Sequence, residues 1–128
     1  MRWCRPTKKK DLLKSINTLE KHKDKKRIWR NKVNDELKKN YKKIFNLIDI
    51  LIFLKVPSFK HVYKWRLLQE KKLRLSSYGK KIMTDNQVKN FIMYYERITK
   101  HMFFTLDQKA KFVIKIDNKH RFKSIKIN

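Results

Sequence analysis

Apolar residues recur along this chain with two periods, and the switches between them mark its elements. Trp29, Val33, Leu37, Tyr41, Ile44 and Phe45 return every three or four positions among charged residues, which predicts an amphipathic helix over 29–45. The unbroken apolar run 50–54 follows, short and rich in branched and aromatic residues, as suits a parallel strand buried on both faces. The helix before it is expected to seat on the face of that sheet. Pro57 has a fixed φ and no N–H, so the ladder stops there and the chain turns, with Ser58 placed to cap a helix over 58–75. The stretch 76–83 holds the sole glycine, Gly79, and reads as a loop. Thr84 with Gln87 has capping-box spacing, and Asp85 puts negative charge in the first turn. Val88, Phe91, Ile92, Tyr95, Ile98 and Met102 then repeat at helical spacing, the clearest amphipathic pattern in the chain.

From Ala110 the period changes to two. Phe112, Ile114 and Ile116 alternate with their neighbours, and after Asp117 and Asn118 the residues Phe122, Ser124, Ile125 and Ile127 read as a second strand. Asp-Asn is a workable turn pair because both tolerate positive φ. Residues 1–28 show charge without periodicity and read as the basic, irregular N-terminal segment of a single domain over 1–128, whose remaining elements lie in 29–128.

Composition changes this picture in two places. The formal net charge is +25, which ordinarily points to nucleic acid or an anionic membrane surface. The excess lies in 28 lysines against 8 arginines, and it accompanies many isoleucines and asparagines but one glycine and two prolines. Lysine, isoleucine and asparagine have A/T-rich codons, so compositional drift accounts for the charge without a polyanion. Cys4 is the only cysteine, which excludes a disulfide framework and fits a reducing compartment, the cytoplasm. No secretory leader or membrane span is legible, since the most apolar stretch, 44–56, is interrupted by Asn46, Asp49 and Lys55.

Candidate chemistry centres on the helix after the strand. Arg66, Glu70 and Arg74 fall at i, i+4 and i+8, on one face, just beyond the carboxyl end of a parallel strand, the edge where open α/β sheets bind ligands. The plainest account of them is two surface ion pairs worth about 0.3–0.5 kcal/mol each. On the next helix, Tyr94, Glu96, Arg97 and His101 fall around the margins of the apolar stripe. Pairing of Glu96 with Lys100 and of Arg97 with His101 on a solvated face explains them equally well. His22, His61, His101 and His120 are scattered and have no second cysteine beside them, so no metal site is expected.

The strings LIFLKVPSF, YKWRLLQEKKLR, MTDNQVKNFIMYYERITKHM and AKFVIKIDNKHRFKSI, in this order, resemble the C-terminal half of the bacterial D-glycerate 3-kinase-like P-loop kinases, relatives of the phosphoribulokinase and uridine kinase group. The resemblance implies an α/β, partial P-loop kinase (Rossmann-like) fold, with amphipathic helices on a small sheet and a C-terminal strand pair. It implies ATP and Mg²⁺ as cofactors and transfer of the γ-phosphoryl group to a hydroxyl of glycerate or a similar small acid. It makes Arg66, Glu70 and Arg74 lid residues, the arginines neutralising phosphoryl charge and Glu70 holding one of them. Tyr95, Glu96 and Arg97 become substrate-side residues, Arg97 a candidate for the acid's carboxylate. A Walker A loop, G-x-x-x-x-G-K-[ST], needs two glycines, and Gly79 stands alone. The chain is therefore expected to be inactive by itself, to expose apolar surface, and to self-associate or depend on a P-loop-bearing half. A small basic nucleic-acid-binding module is the alternative, and a non-functional remnant the third.

Overall fold

In the computed structural model, residues 6–76 and 82–128 are described, so Gly79 and most of the expected loop lie outside the described residues. A 3-10 turn, Lys9–Leu12, precedes helices α1, Thr18–Lys23, α2, Ile28–Lys39, and α3, Tyr41–Phe45. Strand β1, Ile52–Lys55, leads into the long helices α4, Phe59–Ser76, and α5, Asp85–Leu106, and then to strands β2, Phe112–Ile116, and β3, Phe122–Ile127. The strands form one mixed sheet in the order β1-β2-β3, with β1 parallel to β2 and β3 antiparallel to it. The architecture is α/β, helices packed on a small sheet.

Local chemistry explains the boundaries. The expected capping box is present: Thr84 Oγ1 accepts from Gln87 N, and the Gln87 side chain accepts from Thr84 N. β1 ends at Lys55, two residues before Pro57, and α4 begins at Phe59, while the Ser58 hydroxyl pairs with His61 Nδ1 at 2.9 Å. The hairpin between β2 and β3 differs from the Asp-Asn turn expected. The left-handed residue is His120 (φ 64°), and Asp117 shapes the turn with its carboxylate, accepting from the N–H groups of Lys119 and Arg121 at 2.8 and 2.9 Å. The helix expected over 29–45 is divided at Asn40, whose side chain bonds back to Glu36.

The core is thin and lies on one side of the sheet. Phe53 and Val113, cross-strand neighbours in register, pack with Leu106 and Ala110 and are flanked by Met102 and Phe103 of α5. The register puts Ile52, Phe112 and Ile127 in one row and Leu54, Ile114 and Ile125 in the next, all on the opposite face. That face has no cover among the described residues. Ile52, Leu54, Ile125 and Ile127 are each more than half exposed. The expectation of a strand buried on both faces is thus corrected. An apolar run alternates between faces once it is a strand, and only the face under α5 receives a partner. Likewise α2 does not seat on the sheet. It lies across an apolar groove from α5, with Leu51 in the lining, and Trp29 meets Tyr94 edge to face at 5.4 Å.

The segment without periodicity carries structure of its own. Leu12, Glu20 and Asp24 are all buried, and Asn17 caps α1 through its side chain, which accepts from Glu20 N.

Candidate functional site

The three residues expected on one face of α4 converge on the start of α5. Glu70, only 3% exposed, pairs with Arg66 one turn earlier and accepts from Met83 N at 3.2 Å. Arg74 donates to the Met83 carbonyl and, at 2.8 Å, to Asp85 in the first turn of α5. The backbone of Met83 is therefore gripped at its N–H by a carboxylate and at its carbonyl by a guanidinium. Because Glu70 is buried, its pair with Arg66 is not the weak surface bridge that spacing alone describes. Arg66 also donates to Gln69 and lies 5.8 Å from the centre of the Phe91 ring, a cation–π contact with α5. Trp65 packs against His120, which brings the β2–β3 turn beside the second turn of α4. Both guanidinium groups keep partial solvent access, 25% for Arg66 and 38% for Arg74.

Tyr95, Glu96 and Arg97 diverge around α5. Tyr95 points into the apolar groove and tilts against Phe91 at 5.1 Å. Glu96 pairs with Lys100, as spacing suggests, and accepts from Asn17 Nδ2 at 3.0 Å. Arg97 reaches the N-terminal segment, with Nε and Nη2 bonding the two oxygens of Glu20 at 2.8 and 2.6 Å. Its Nη1 and Nη2 also donate to the carbonyls of Asp11 and Lys14, each at 2.7 Å. All three nitrogens of Arg97 are thus bonded to protein, and the side chain ties residues 11–20 to α5.

Around Glu20 lies a cluster of charge that periodicity did not reveal. Arg30 sits 3.6 Å from both Glu20 and Asp24 and donates through Nε to the Leu12 carbonyl at 2.8 Å. Burial works against the ionised form of Glu20, but the hydrogen bonds from Arg97 and from Ile16 N and the charges of Arg97 and Arg30 outweigh it. The carboxyl is held below the usual carboxylate range. One signal was available in the sequence: Asn17-x-x-Glu20 has capping-box spacing, and Asn17 does accept from Glu20 N, although the Glu20 carboxylate bonds Ile16 N rather than the cap's own N–H.

The groove between α2, α3 and α5 has a volume of about 490 Å³. Exposed aromatics gather there, including Trp29, Tyr41, Tyr94 and Tyr95, while its only charged lining residues are Lys32 and Glu36, paired with each other at 2.9 Å. Among the described residues, no three His, Cys, Asp or Glu side chains come together as a metal-binding group, and no helix is long and apolar enough to cross a membrane.

No protein-family model matches the sequence, and no curated protein matches it. Among solved structures, a D-glycerate 3-kinase from Cryptococcus neoformans var. grubii serotype A superposes with a TM-score of 0.69 at 21% sequence identity. The superposition covers all of this chain and 47% of that one, so these 128 residues span about half the length of the kinase. A likeness at this level of identity concerns the fold, and the fold it shows is kinase-like.

Proposed function

We propose that this chain is the C-terminal portion of an ATP-dependent kinase that phosphorylates a hydroxyl of glycerate or a similar small acid. The observation that carries this reading is the pairing of a full-length match to half of a D-glycerate 3-kinase with a sheet left open on one face. In α/β domains a sheet with parallel strands is covered on both faces, so the apolar rows through Ile52 and Leu54 are where the remainder of such a domain belongs. A P-loop-bearing half is the partner this reading assigns to that face, with self-association its substitute when the half is absent.

These residues include no glycine-rich loop whose backbone N–H groups would cradle a nucleotide's phosphates. The β1–α4 turn, 56–58, contains Pro57, which has no N–H to offer, and the only glycine is Gly79. ATP and Mg²⁺ would have to be held by the partnering half, and the isolated chain is read as inactive. What this chain supplies is the lid. Arg66 and Arg74 stand on α4, held through Glu70, Met83 and Asp85, with enough solvent access to turn toward phosphoryl oxygens. Tyr95 faces the groove, and Glu96 and Arg97 brace the N-terminal segment.

The nucleic-acid reading receives less support, because Trp29, Tyr41, Tyr94 and Tyr95 line a groove whose only two charges neutralise each other. The test is phosphoryl transfer from Mg-ATP to D-glycerate by the chain alone and mixed with the P-loop-bearing half of a D-glycerate 3-kinase. Turnover is expected only in the mixture, falling at least a hundredfold in R66Q/R74Q. A mixture that co-purifies without turnover would overturn the reading.

A further inference from the structure

A cavity of about 360 Å³ opens beyond the carboxyl ends of β1 and β2 and under the β2–β3 turn. Its charged lining is Lys55, Lys115, Lys119, Arg121, Lys123 and a single carboxylate, Asp117. That carboxylate is spent on the turn: Oδ1 accepts from Lys119 N and Arg121 N, and Oδ2 from the Arg121 guanidinium at 3.0 Å. Lys55 is held by Asp107 at 2.9 Å. Lys115, Lys119 and Lys123 remain, and among the described residues none of them is within ion-pair distance of a carboxylate. Most of the surface lysines of this chain face open water, where repulsion is screened within about 8–10 Å. These three are exposed as well, but they border one concavity beside Val56, Pro57 and Ile116, so their charges add at a single place.

We propose that this cavity binds a small, multiply charged phosphate anion, the class represented by inorganic pyrophosphate, through Lys115, Lys119 and Lys123. The volume lies within the range of small-molecule sites, and the position, outside the carboxyl ends of parallel strands, is where open α/β sheets take ligands. Three unpaired ammonium groups match an anion of charge near −3 better than a monoanion, and Arg121, locked to Asp117, keeps the turn in place without leaving its site. The proposal goes beyond the kinase reading and does not depend on it, since binding is measured without any phosphoryl transfer.

The experiment is lysine acetylation of the full chain, read by mass spectrometry with and without pyrophosphate at physiological salt. Lys115, Lys119 and Lys123 are expected to be protected at least fivefold, and the exposed Lys21, Lys38 and Lys42 less than twofold. Calorimetry of K115Q/K119Q/K123Q is compared with K21Q/K38Q/K42Q, which removes the same charge. The first variant is expected to weaken pyrophosphate binding at least tenfold and the second less than threefold. Even protection of both sets, equal losses in the two variants, or no binding at 1 mM pyrophosphate would each overturn the proposal. The acetylation readout uses the unmodified chain, so it decides even if a variant fails to fold.

Discussion

Replacing Arg97 by methionine removes the side chain that donates twice to the buried carboxylate of Glu20. Glu20 is 1% exposed, and Arg97 supplies both of its short contacts, at 2.8 and 2.6 Å. Breaking a buried pair from one side costs about 3–5 kcal/mol, because the charge left behind is uncompensated. Arg30 stays 3.6 Å from Glu20 and offsets part of the loss, which places R97M at about 3 kcal/mol. With an m-value of about 2 kcal/mol/M, the urea midpoint should fall by about 1.5 M, measured by circular dichroism at low protein concentration.

The pH dependence identifies the cause. In the native protein the folded pKa of Glu20 is depressed, so its contribution is present above the ordinary carboxylate value, about 4.3, and is lost as pH falls through the folded value. In R97M the hydrogen bond and charge of Arg97 no longer lower that pKa while burial still raises it, so Glu20 is charged at neutral pH at greater cost and acidification relieves it. The gap between the two proteins should therefore narrow from pH 6 to pH 3. E20M/R97M, which leaves no orphaned charge at this pair, should be more stable than R97M alone. A midpoint shift below about 0.4 M, or a gap that does not change with pH, would refute the reasoning.

Three further outcomes follow from the same geometry. Thr84→Ala removes the hydroxyl half of the α5 capping box and should cost about 1 kcal/mol, lowering the thermal midpoint by about 4 °C. Leu54→Gln, on the open sheet face, should change monomer stability by no more than about 0.5 kcal/mol yet reduce self-association in sedimentation velocity; unchanged assembly would count against that face as the contact surface. The hydrogen bond and charge of Lys55 hold the Asp107 carboxyl below the usual aspartate range against the cost of burial, so Lys55→Met should lower stability at pH 7. That difference should vanish as pH falls through the folded Asp107 value, and acid-unfolding curves that stay parallel would contradict it.

The elements of this protein were legible in its sequence wherever a single helix or strand carries its own signal. Thr84 and Gln87 announce the start of α5 because a capping box closes within four residues, and Pro57 separates β1 from α4 because its missing N–H is a local fact. The 3.6-residue period of α5 and the two-residue period of β2 are likewise written in consecutive positions. The i, i+4 spacing of Arg66 and Glu70 predicted their pairing, but not that Glu70 is buried or that it reaches Met83, because both depend on where α5 lies.

Only the tertiary structure decided which face of β1 is covered. The run 50–54 is apolar throughout, and burial depends on what packs against it. α5 meets Phe53, while Ile52 and Leu54 on the other face stay more than half exposed. Arg97 reads on paper as a solvated or ligand-facing charge, and folding places it against Glu20, 77 residues away, because Asn17 and its cap fix α1 beside α5. The sequence by itself determined the elements, since hydrogen bonds within a helix or turn close over a few residues. It left open the buried charges and the bare sheet face, since burial is a property of neighbours brought together from distant parts of the chain.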